Sequence, residues 1–364
     1  MRVLIQSWRD VAHPLAGGSE EYVDRIAEGL AERGHDVTLV VARPAAQHTY
    51  RVATNGGRFT HYLRAPLRYL RGRPRPDVVV DVANGMTYYS PLWRRGPSVI
   101  LVHHIHELQW RQWFAPLLAA LGSFLERRVT PFAYRHCIFV TVSESTRDAL
   151  VALGVDAARI RIVRNGVDVV DAEPAPPSPE PTFLILARLV PHKRVDMAVE
   201  AWREVQSETG GTLVIAGQGP EVDRIRALGV DRVELLGWVD EAQKQKLLGD
   251  CRFLVHPSEL EGWGLVIMEA AAHGRPTLGF RVPGVRDSVV DGTTGLLADD
   301  FDEFVRLWIR MAQNPSLSAE LGCAARARAR ELPWDRSVDA FEAVLEEAVR
   351  SGRVGGTTRE DHEL

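Results

Sequence analysis

Cysteine is scarce in this 364-residue chain, which contains only Cys137, Cys251 and Cys323. Because three widely spaced cysteines match neither a disulfide framework nor a zinc-binding pattern, we expect reduced cysteines that serve in packing. Long apolar runs are also absent: no uncharged stretch reaches the roughly 18 residues of a membrane span. The opening segment, "MRVLIQSWRD", lacks the apolar region and cleavage site of a signal peptide. These absences predict a cytoplasmic protein.

Lysine is rare as well, since Lys193, Lys244 and Lys246 are the only lysines among 44 basic residues. Because this chain otherwise uses arginine wherever a cation is needed, a lysine is a mild indication that its position requires that particular side chain. Charge is also uneven along the chain, with a net +5 over residues 1–173 and a net −9 over the remainder. We expect two parts with different tasks, and no nucleic-acid partner.

The composition, 45% hydrophobic and 25% charged, is that of an ordinary globular protein. A chain of this length exceeds what one core organises, so two domains are expected. The proline-rich segment "DAEPAPPSPEP" cannot hold a helix or a central strand and predicts the linker. The predicted parts are a first domain at 1–172, a linker at 173–181, a second domain at 182–334, a C-terminal helix at 335–350 packing back toward the first domain, and a disordered tail at 351–364.

Apolar β runs alternate with helical stretches on both sides of the linker. This alternation predicts two α/β domains, each with a doubly wound parallel sheet. Because ligands of such sheets bind at the carboxyl ends of the strands, a site between the two domains is expected. The predicted strands include "RVLIQS", "GHDVTLVVA", "DVVVDV", "SVILVH", "CIFVTV" and "IRIV", then "TFLILARL", "TLVIAG", "VELLG", "FLVHPS" and "PTLGF".

The stretch "ELEGWGLVIMEA" holds Glu261 and Glu269 eight positions apart, with two glycines after the first. It predicts a glycine loop followed by a helix beginning near Gly264, with Glu269 about one and a half turns in. We expect the two carboxylates to face one cleft at different depths, and the first N–H groups of the helix suit a phosphate. The alternative is structural, with one glutamate favouring the positive end of the helix and the other on a solvated face.

Arg188 and Lys193 follow the first strand of the second domain, and a turn at Pro191 could bring both cations together. A planar guanidinium and an ammonium suit a diphosphate. The structural alternative is an exposed basic loop. Gly17 and Gly18 form a second phosphate-type helix start, although "AGGSE" lacks the full dinucleotide fingerprint, and a plain strand-to-helix turn is an equal alternative.

The segment "HHIHE" at residues 103–107 follows another strand. We disfavour a metal site because His103 and His104 should point to opposite sides and no second ligand group has a recognisable spacing. One histidine touching a substrate is the favoured hypothesis, beside a purely structural role. A literal D-x-D, Asp300 to Asp302, stands where a helix should begin, so capping is favoured over metal binding.

Residues 107–129 are rich in aromatic and leucine side chains, with flanking arginines. An apolar helix packed inside the first domain is the favoured interpretation. The alternative is a helix resting on a membrane surface, which leaves peripheral association with the inner membrane face open.

Together these motifs resemble the retaining GT-B glycosyltransferases of family 4, which use nucleotide-sugar donors. The resemblance spans nearly the whole chain and is most specific in the second domain. There the motifs "ARLVPHK", "AGQGP", "EGWGLVIME", "GRPTLGF" and "DGTTGLL" occur in the family's order, and "AGGSE" and "NGVD" agree in the first domain. Ala187 and Trp263 stand where the family more often has Gly and Phe.

The resemblance implies a role for each matching position. Arg188 and Lys193 would bind the donor diphosphate, Glu269 the ribose diol, and Glu261 the hydroxyls of the sugar. His103 would be the active-site histidine, with His104 one position away as its rival. The donor would also be contacted by Gly17, Gly18, Val239, Gly262, Trp263, Gly264 and Leu265.

The activity implied is transfer of a sugar from a nucleotide-diphosphate sugar to an unidentified acceptor, with retention and without a metal or other cofactor. Rival hypotheses are a sugar-nucleotide epimerase, a catalytically silent sugar-nucleotide binder, and an NAD-dependent dehydrogenase. The last would require a complete glycine fingerprint, which the sequence does not supply.

Overall fold

Two parallel β-sheets organise the computed structural model of this protein. It describes residues 1–11, 13, 16–42, 48–57, 60–72, 74–106, 110, 114–170 and 180–357. The chain divides into two compact units: unit 1 comprises Met1–Gly166 with Trp334–Leu364, and unit 2 comprises Val167–Pro333.

Unit 1 is built on a seven-stranded sheet with the order β3-β2-β1-β4-β5-β6-β7. All neighbouring strands are parallel, and β4 and β5 are buried along their whole length. Buried apolar runs are typical of parallel strands covered on both faces. The strands are β1 (Arg2–Gln6), β2 (Asp36–Val41), β3 (Arg51–Thr54), β4 (Val78–Ala83), β5 (Ser98–Val102), β6 (Ile138–Thr141) and β7 (Ile160–Ile162).

The first helix of unit 1 buries one stripe of side chains. In α1 the buried side chains Tyr22, Val23, Ile26 and Leu30 recur at helical spacing, and α1 packs against the C-terminal helix. The helices are α1 (Gly18–Glu32), α2 (Thr60–Arg71), α3 (Ser90–Trp93), α4 (Pro116–Phe124), α5 (Thr130–Ala133), α6 (Glu144–Ala152) and the C-terminal α14 (Trp334–Thr357), with a π-helical segment, Leu125–Val129, joining α4 to α5.

Unit 2 has a six-stranded parallel sheet with the order β10-β9-β8-β11-β12-β13. Its main core places Trp202, Trp308 and Phe304 against strand residues such as Phe183 and Phe253. The strands are β8 (Thr182–Leu186), β9 (Thr212–Ala216), β10 (Val233–Gly237), β11 (Phe253–His256), β12 (Thr277–Phe280) and β13 (Gly295–Ala298). The helices are α7 (Val195–Thr209), α8 (Val222–Ala227), α9 (Glu241–Asp250), α10 (Leu265–Ala272), α11 (Val285–Ser288), α12 (Phe301–Gln313) and α13 (Pro315–Arg330).

Both sheets reverse their strand order next to their first strand. In unit 1 the reversal lies between β1 and β4, and in unit 2 it lies between β8 and β11. Ligands of open α/β sheets bind where the order reverses, at the carboxyl ends of the strands. In unit 2 this edge carries the segment after β8, with Arg188 and Lys193, and the segment after β11, with Glu261.

The doubly wound α/β architecture predicted from the sequence is confirmed, with several differences in detail. Strands β3 and β13 were not predicted. The sequence of β3 is polar, and β13 is a short run between glycine and acidic residues. The boundary between the units falls at Val167, whereas most of the predicted linker lies outside the described residues. Helix α14 reaches Thr357, so part of the predicted disordered tail, 351–364, is helical.

The prediction that the segment 107–129 packs inside the first domain is wrong for its helical part. Leu117, Leu118, Leu121 and Phe124 on α4 are exposed, and Leu117 retains 83% of its accessible surface. Residues 107–109 and 111–113 lie outside the described residues.

The cysteine prediction is only partly right. The three cysteines are free, and Cys251 is buried and Cys137 half-buried, whereas Cys323 is exposed and does not serve the core. Burial raises the pKa of the Cys251 thiol to about 12.

Candidate functional site

The segment after β8 is held by the turn that follows β9. The Leu189 N–H donates to the Gln218 carbonyl at 2.8 Å, and the Glu221 N–H donates to the Leu189 carbonyl at 3.1 Å. A Cβ at Gly217, whose φ is +147°, would stand 1.8 Å from the Ala187 carbonyl oxygen, so only glycine permits this approach. The motifs "ARLVPHK" and "AGQGP" therefore form one packed structure.

Lys193 ends a short 3₁₀ turn, Pro191–Lys193, which is followed by Arg194 in the left-handed region at φ 49° and then by α7. Arg188 lies five residues earlier and is half-buried. The turn at Pro191 expected from the sequence is present, and it brings Lys193 back toward the segment after β11.

Backbone hydrogen bonds also connect the segment after β11 to the segments that contain His192 and Pro283. The Glu259 N–H donates to the His192 carbonyl at 3.0 Å, and the Glu261 N–H donates to the Pro283 carbonyl at 3.3 Å. Helix α10 begins at Leu265 after Gly264, which has a φ of 87°. The predicted glycine loop and helix start are confirmed, and Glu269 lies in the second turn.

Glu261 is the centre of a charged cluster in unit 2. Its carboxylate forms an ion pair with Lys193 and accepts a 2.8 Å hydrogen bond from His256 Nε2. Burial alone would raise the pKa of Glu261, but the Lys193 charge and the His256 hydrogen bond hold this pKa well below its usual value. Glu261 is therefore an anion whose position is fixed from two sides.

The low pKa of Glu261 predicts a pH-dependent contribution to stability. A carboxyl with a depressed pKa stabilises the fold above its unfolded value, here 4.5, and this contribution is lost as the pH falls through the folded pKa. We expect Glu261→Gln to be less stable than the wild type at neutral pH and the difference to shrink below about pH 4.5. Urea unfolding at pH 7, 5 and 3.5 measures this difference; a constant gap would contradict the assignment.

Glu269 forms a second, separate ion pair. Its Oε1 lies 2.6 Å from Lys244 Nζ, and the same ammonium lies 2.9 Å from a carboxylate oxygen of Glu241 on α9. Each carboxylate is thus paired with a different lysine, and the expectation that Glu261 and Glu269 face one cleft stays a prediction. Both glutamates are half-buried and anchored, whereas the third lysine, Lys246, is exposed and pairs with Asp250.

The remaining residues predicted in unit 2 differ in what they can offer a ligand. Trp263 and Leu265 are buried, so their side chains belong to the core and only their backbone groups remain candidates. Gly262 and Gly264 are half-buried beside Glu261. Val239 is half-buried after β10, next to Trp238, which retains 70% of its accessible surface.

In unit 1 the glycine turn before α1 is bound by a glutamate. The Gly17 N–H donates to Glu20 Oε2 at 2.8 Å, and Arg9 Nε donates to Glu20 Oε1 at 2.7 Å. The Gly17 amide is thus already hydrogen-bonded, while Gly18 begins the helix. The predicted phosphate contacts of Gly17 and Gly18 stay predictions.

His103 and His104 point to different surroundings, as expected for consecutive residues at a strand end. The buried His103 ring stands edge-on to Tyr22, with 5.3 Å between centroids, and burial lowers its pKa to about 4. His104 is half-buried and stacks on His106 at 4.2 Å. His103 is neutral at physiological pH; its catalytic role stays a prediction, and Glu107 lies outside the described residues.

Asp300 caps α12, as predicted. Its carboxylate accepts a hydrogen bond from the Glu303 N–H at 2.8 Å, which is the geometry of an N-cap. Within the described ranges of the chain, no group of three or more His, Cys, Asp or Glu side chains is arranged to hold a metal ion.

Two residues of the site were missed by reasoning from the sequence. His256 is the last residue of the buried strand β11, a strand-end position like the one that singled out His103 directly after "SVILV". Lys244 is one of only three lysines, and its rarity alone could have marked it. Both residues hold a predicted glutamate in place.

Comparisons with known proteins agree with this architecture. Residues 168–328 match the family Glycosyl transferases group 1, and residues 16–171 match Glycosyltransferase Family 4. The D-inositol 3-phosphate glycosyltransferase of Acidothermus cellulolyticus is 28% identical, over 94% of this chain and 88% of that protein. The glycogen synthase of Mycobacterium tuberculosis is 26% identical, over 81% of this chain and 82% of its own length.

Solved structures share the fold. Anabaena HepE in complex with UDP and glucose superposes with a TM-score of 0.77 at 18% identity, covering 95% of this chain and all of that one. Sucrose-phosphate synthase from Thermosynechococcus elongatus gives a TM-score of 0.76 at 21% identity, covering 98% of each chain.

The two Rossmann-like domains, each with a parallel sheet, and the likeness to these solved structures define the GT-B class of fold. The chain is a glycosyltransferase enzyme, with its group 1 match in the second domain and its family 4 match in the first.

Proposed function

We propose that this chain is a retaining, metal-independent glycosyltransferase of family 4 that moves a sugar from a nucleotide-diphosphate sugar to an acceptor hydroxyl in the cytoplasm. The observation that carries the proposal is the charged cluster of Lys193, Glu261 and His256 at the strand-order reversal of unit 2. It offers a cation for a phosphate and a fixed carboxylate for a sugar beside the start of α10.

The nature of the donor is supported by chemistry and by similarity. HepE has been solved with UDP and glucose and with UDP-glucose. In this chain the half-buried Arg188 and Lys193 stand at the switch point, where nucleotides bind in doubly wound folds. A nucleoside diphosphate suits Lys193 beside the start of α10, with Arg188 on the same segment after β8 as a second cation.

We assign the roles in unit 2 residue by residue. Lys193 and Arg188 bind the diphosphate, and Glu261 accepts hydrogen bonds from the sugar hydroxyls. Glu269 accepts hydrogen bonds from the ribose diol, with Lys244 holding its carboxylate. When the donor arrives, Lys193 exchanges part of its contact with Glu261 for a phosphate oxygen, and His256 keeps Glu261 in place.

The proposed transfer proceeds on one face of the sugar. The bond from the anomeric carbon to the phosphate oxygen breaks, and the acceptor oxygen bonds to that carbon from the same side. The departing phosphate oxygen takes the acceptor proton. Lys193, Arg188 and the α10 N-terminus stabilise the charge that grows on this phosphate, which fixed cations can do without a divalent ion.

Product stereochemistry and metal dependence test the proposal. With an α-linked nucleotide sugar, we expect an α-linked product by NMR and full activity in EDTA. A β-linked product, or EDTA inhibition that Mg²⁺ reverses, would contradict retention or metal independence. A sugar-nucleotide epimerase or a silent binder would give no glycosylated product.

Glu269→Gln is expected to weaken binding of the free nucleoside diphosphate by about tenfold, because a charge-assisted hydrogen bond becomes a neutral one. The fold should persist, since the volume is nearly unchanged. Calorimetric titration measures the loss, and Lys246→Gln, on the exposed pair with Asp250, is the matched control. Unchanged affinity in Glu269→Gln would assign this residue a structural role.

A further inference from the structure

Helix α2 of unit 1 has an apolar side that nothing in the described part of the chain covers. Its buried side chains recur every four residues and face the sheet, while three leucines stand on the opposite side. The buried residues are His61, Ala65 and Tyr69, and the exposed ones are Leu63, Leu67 and Leu70. Leu63 retains 79% of its accessible surface.

The surroundings of these leucines are strongly basic. Arg64, Arg68 and Arg71 form a stripe along α2 between the leucines and the buried side. From Val37 to Pro76 the sequence contains eight arginines and no acidic residue. A cavity of about 700 Å³ behind α2 is lined by Arg2, Arg51 and the three arginines of the stripe, with Asp36 as its one acidic residue.

Two neighbouring helical segments lie on the same side of the sheet as α2. Tyr69 packs against Trp93 of α3, with 5.4 Å between ring centroids. The carboxylate of Asp81 on β4 accepts hydrogen bonds from Ser90 of α3 and from Tyr134, directly after α5. Helices α2, α3 and α4–α5 therefore cover the same face of the sheet.

Helices α3, α4 and α5 also carry exposed apolar side chains. These are Leu92 on α3, Leu117, Leu118, Leu121 and Phe124 on α4, and Phe132 on α5. Arg127 and Arg128 are exposed beside them. The one acidic residue of the segment 116–133, Glu126, is buried and bonded to the His106 N–H and to Trp110 Nε1. The face formed by α2, α3 and α4–α5, called here the leucine–arginine face, exposes apolar and basic groups together.

The other side of this sheet is different. It is covered by α1 and α14, which pack on each other, and in their described side chains no large hydrophobic residue is exposed. Helix α1 carries five acidic residues against one arginine. Arg33, directly after α1, forms an ion pair with Glu342 of α14. The apolar and basic character is thus confined to one face.

We propose that the leucine–arginine face docks unit 1 on the surface of a bilayer containing anionic lipids. Leucines inserted at the headgroup boundary with arginines among the phosphates are the pattern of an interfacial helix. A second copy of the chain fits less well, because the described part of this face exposes no carboxylate that could pair with the arginines of the other copy. None of the helices described has the length and apolar character needed to cross a membrane.

Vesicle flotation with the full chain tests the proposal independently of activity. We expect binding to phosphatidylcholine vesicles that contain roughly 30% phosphatidylglycerol, which makes their surface anionic. We expect little binding to vesicles of phosphatidylcholine alone. The combined Leu63→Gln, Leu67→Gln and Leu70→Gln variant should bind at least about tenfold more weakly. Arg64→Gln and Arg71→Gln should each cost about fivefold on anionic vesicles.

Matched controls come from exposed positions of unit 2. Leu236→Gln with Val290→Gln, and Arg224→Gln with Arg226→Gln, should bind vesicles like the wild type. Equal melting temperatures show that the variants fold. No vesicle binding by the wild type, equal loss in the controls, or a dimer that the leucine variant converts to a monomer would each overturn the proposal.

Discussion

Replacing Lys193 by alanine is expected to reduce kcat by about a hundredfold or more. The ammonium group is the cation paired with Glu261 at the strand-order reversal of unit 2. If it stabilises the departing diphosphate, its contribution grows as the bond to the anomeric carbon breaks, and kcat falls more than donor affinity does.

The lysines themselves provide the control for this prediction. Lys246→Ala removes the same group from an exposed position on α9, where its partner is Asp250, and should leave kcat unchanged. Initial rates of nucleoside diphosphate release, with saturating donor, measure both variants. A Lys193→Ala enzyme with undiminished kcat would remove this residue from the reaction.

Glu261→Gln is the second substitution with a large expected effect, a loss of about tenfold to a hundredfold in kcat/KM for the donor. The amide keeps the size of the side chain but weakens the bonds to sugar hydroxyls. It also leaves Lys193 and the buried His256 without their anionic partner. The loss should therefore exceed the loss expected from Glu269→Gln.

Steady-state kinetics across donor concentrations measure this ratio. Glu320→Gln, at an exposed position of α13, is the control and should match the wild type. If Glu261→Gln lowers the melting temperature but leaves kcat/KM intact, the carboxylate has only a structural role.

Much of the fold could be predicted from local patterns. Buried runs such as "DVVVDV" and "SVILV" indicated parallel strands, and the glycines before Leu265 indicated the start of α10. Capping by Asp300 was also predictable, because the acidic residues precede an amphipathic helix. These signals lie within a few residues of the structure they determine.

The pairings in the site could not be predicted in this way. Lys193 and Glu261 are 68 positions apart, and their contact depends on β8 and β11 lying side by side across a crossover. Lys244 meets Glu269 only because α9 packs beside α10. Such contacts follow from strand order, which the periodicity of one sequence does not specify.

Exposure of the α4 leucines also ran against the local pattern. An uncharged segment such as "WFAPLLAALGSFL" favours a buried helix, because apolar side chains are stabilised when removed from water. The surface they occupy is determined by what covers the sheet around them, which is a tertiary property.

Binding of nucleoside diphosphates to the purified chain in EDTA tests most directly whether the Lys193–Glu261 cluster holds a sugar donor. Thermal unfolding with UDP, GDP, ADP and dTDP follows this binding, since a ligand of the folded state stabilises it by RT ln(1 + [L]/Kd). We predict that at least one nucleotide raises the melting temperature of the wild type, and raises it less in Lys193→Ala. No shift with any nucleotide at millimolar concentration, or an equal shift in Lys193→Ala, would contradict the assignment.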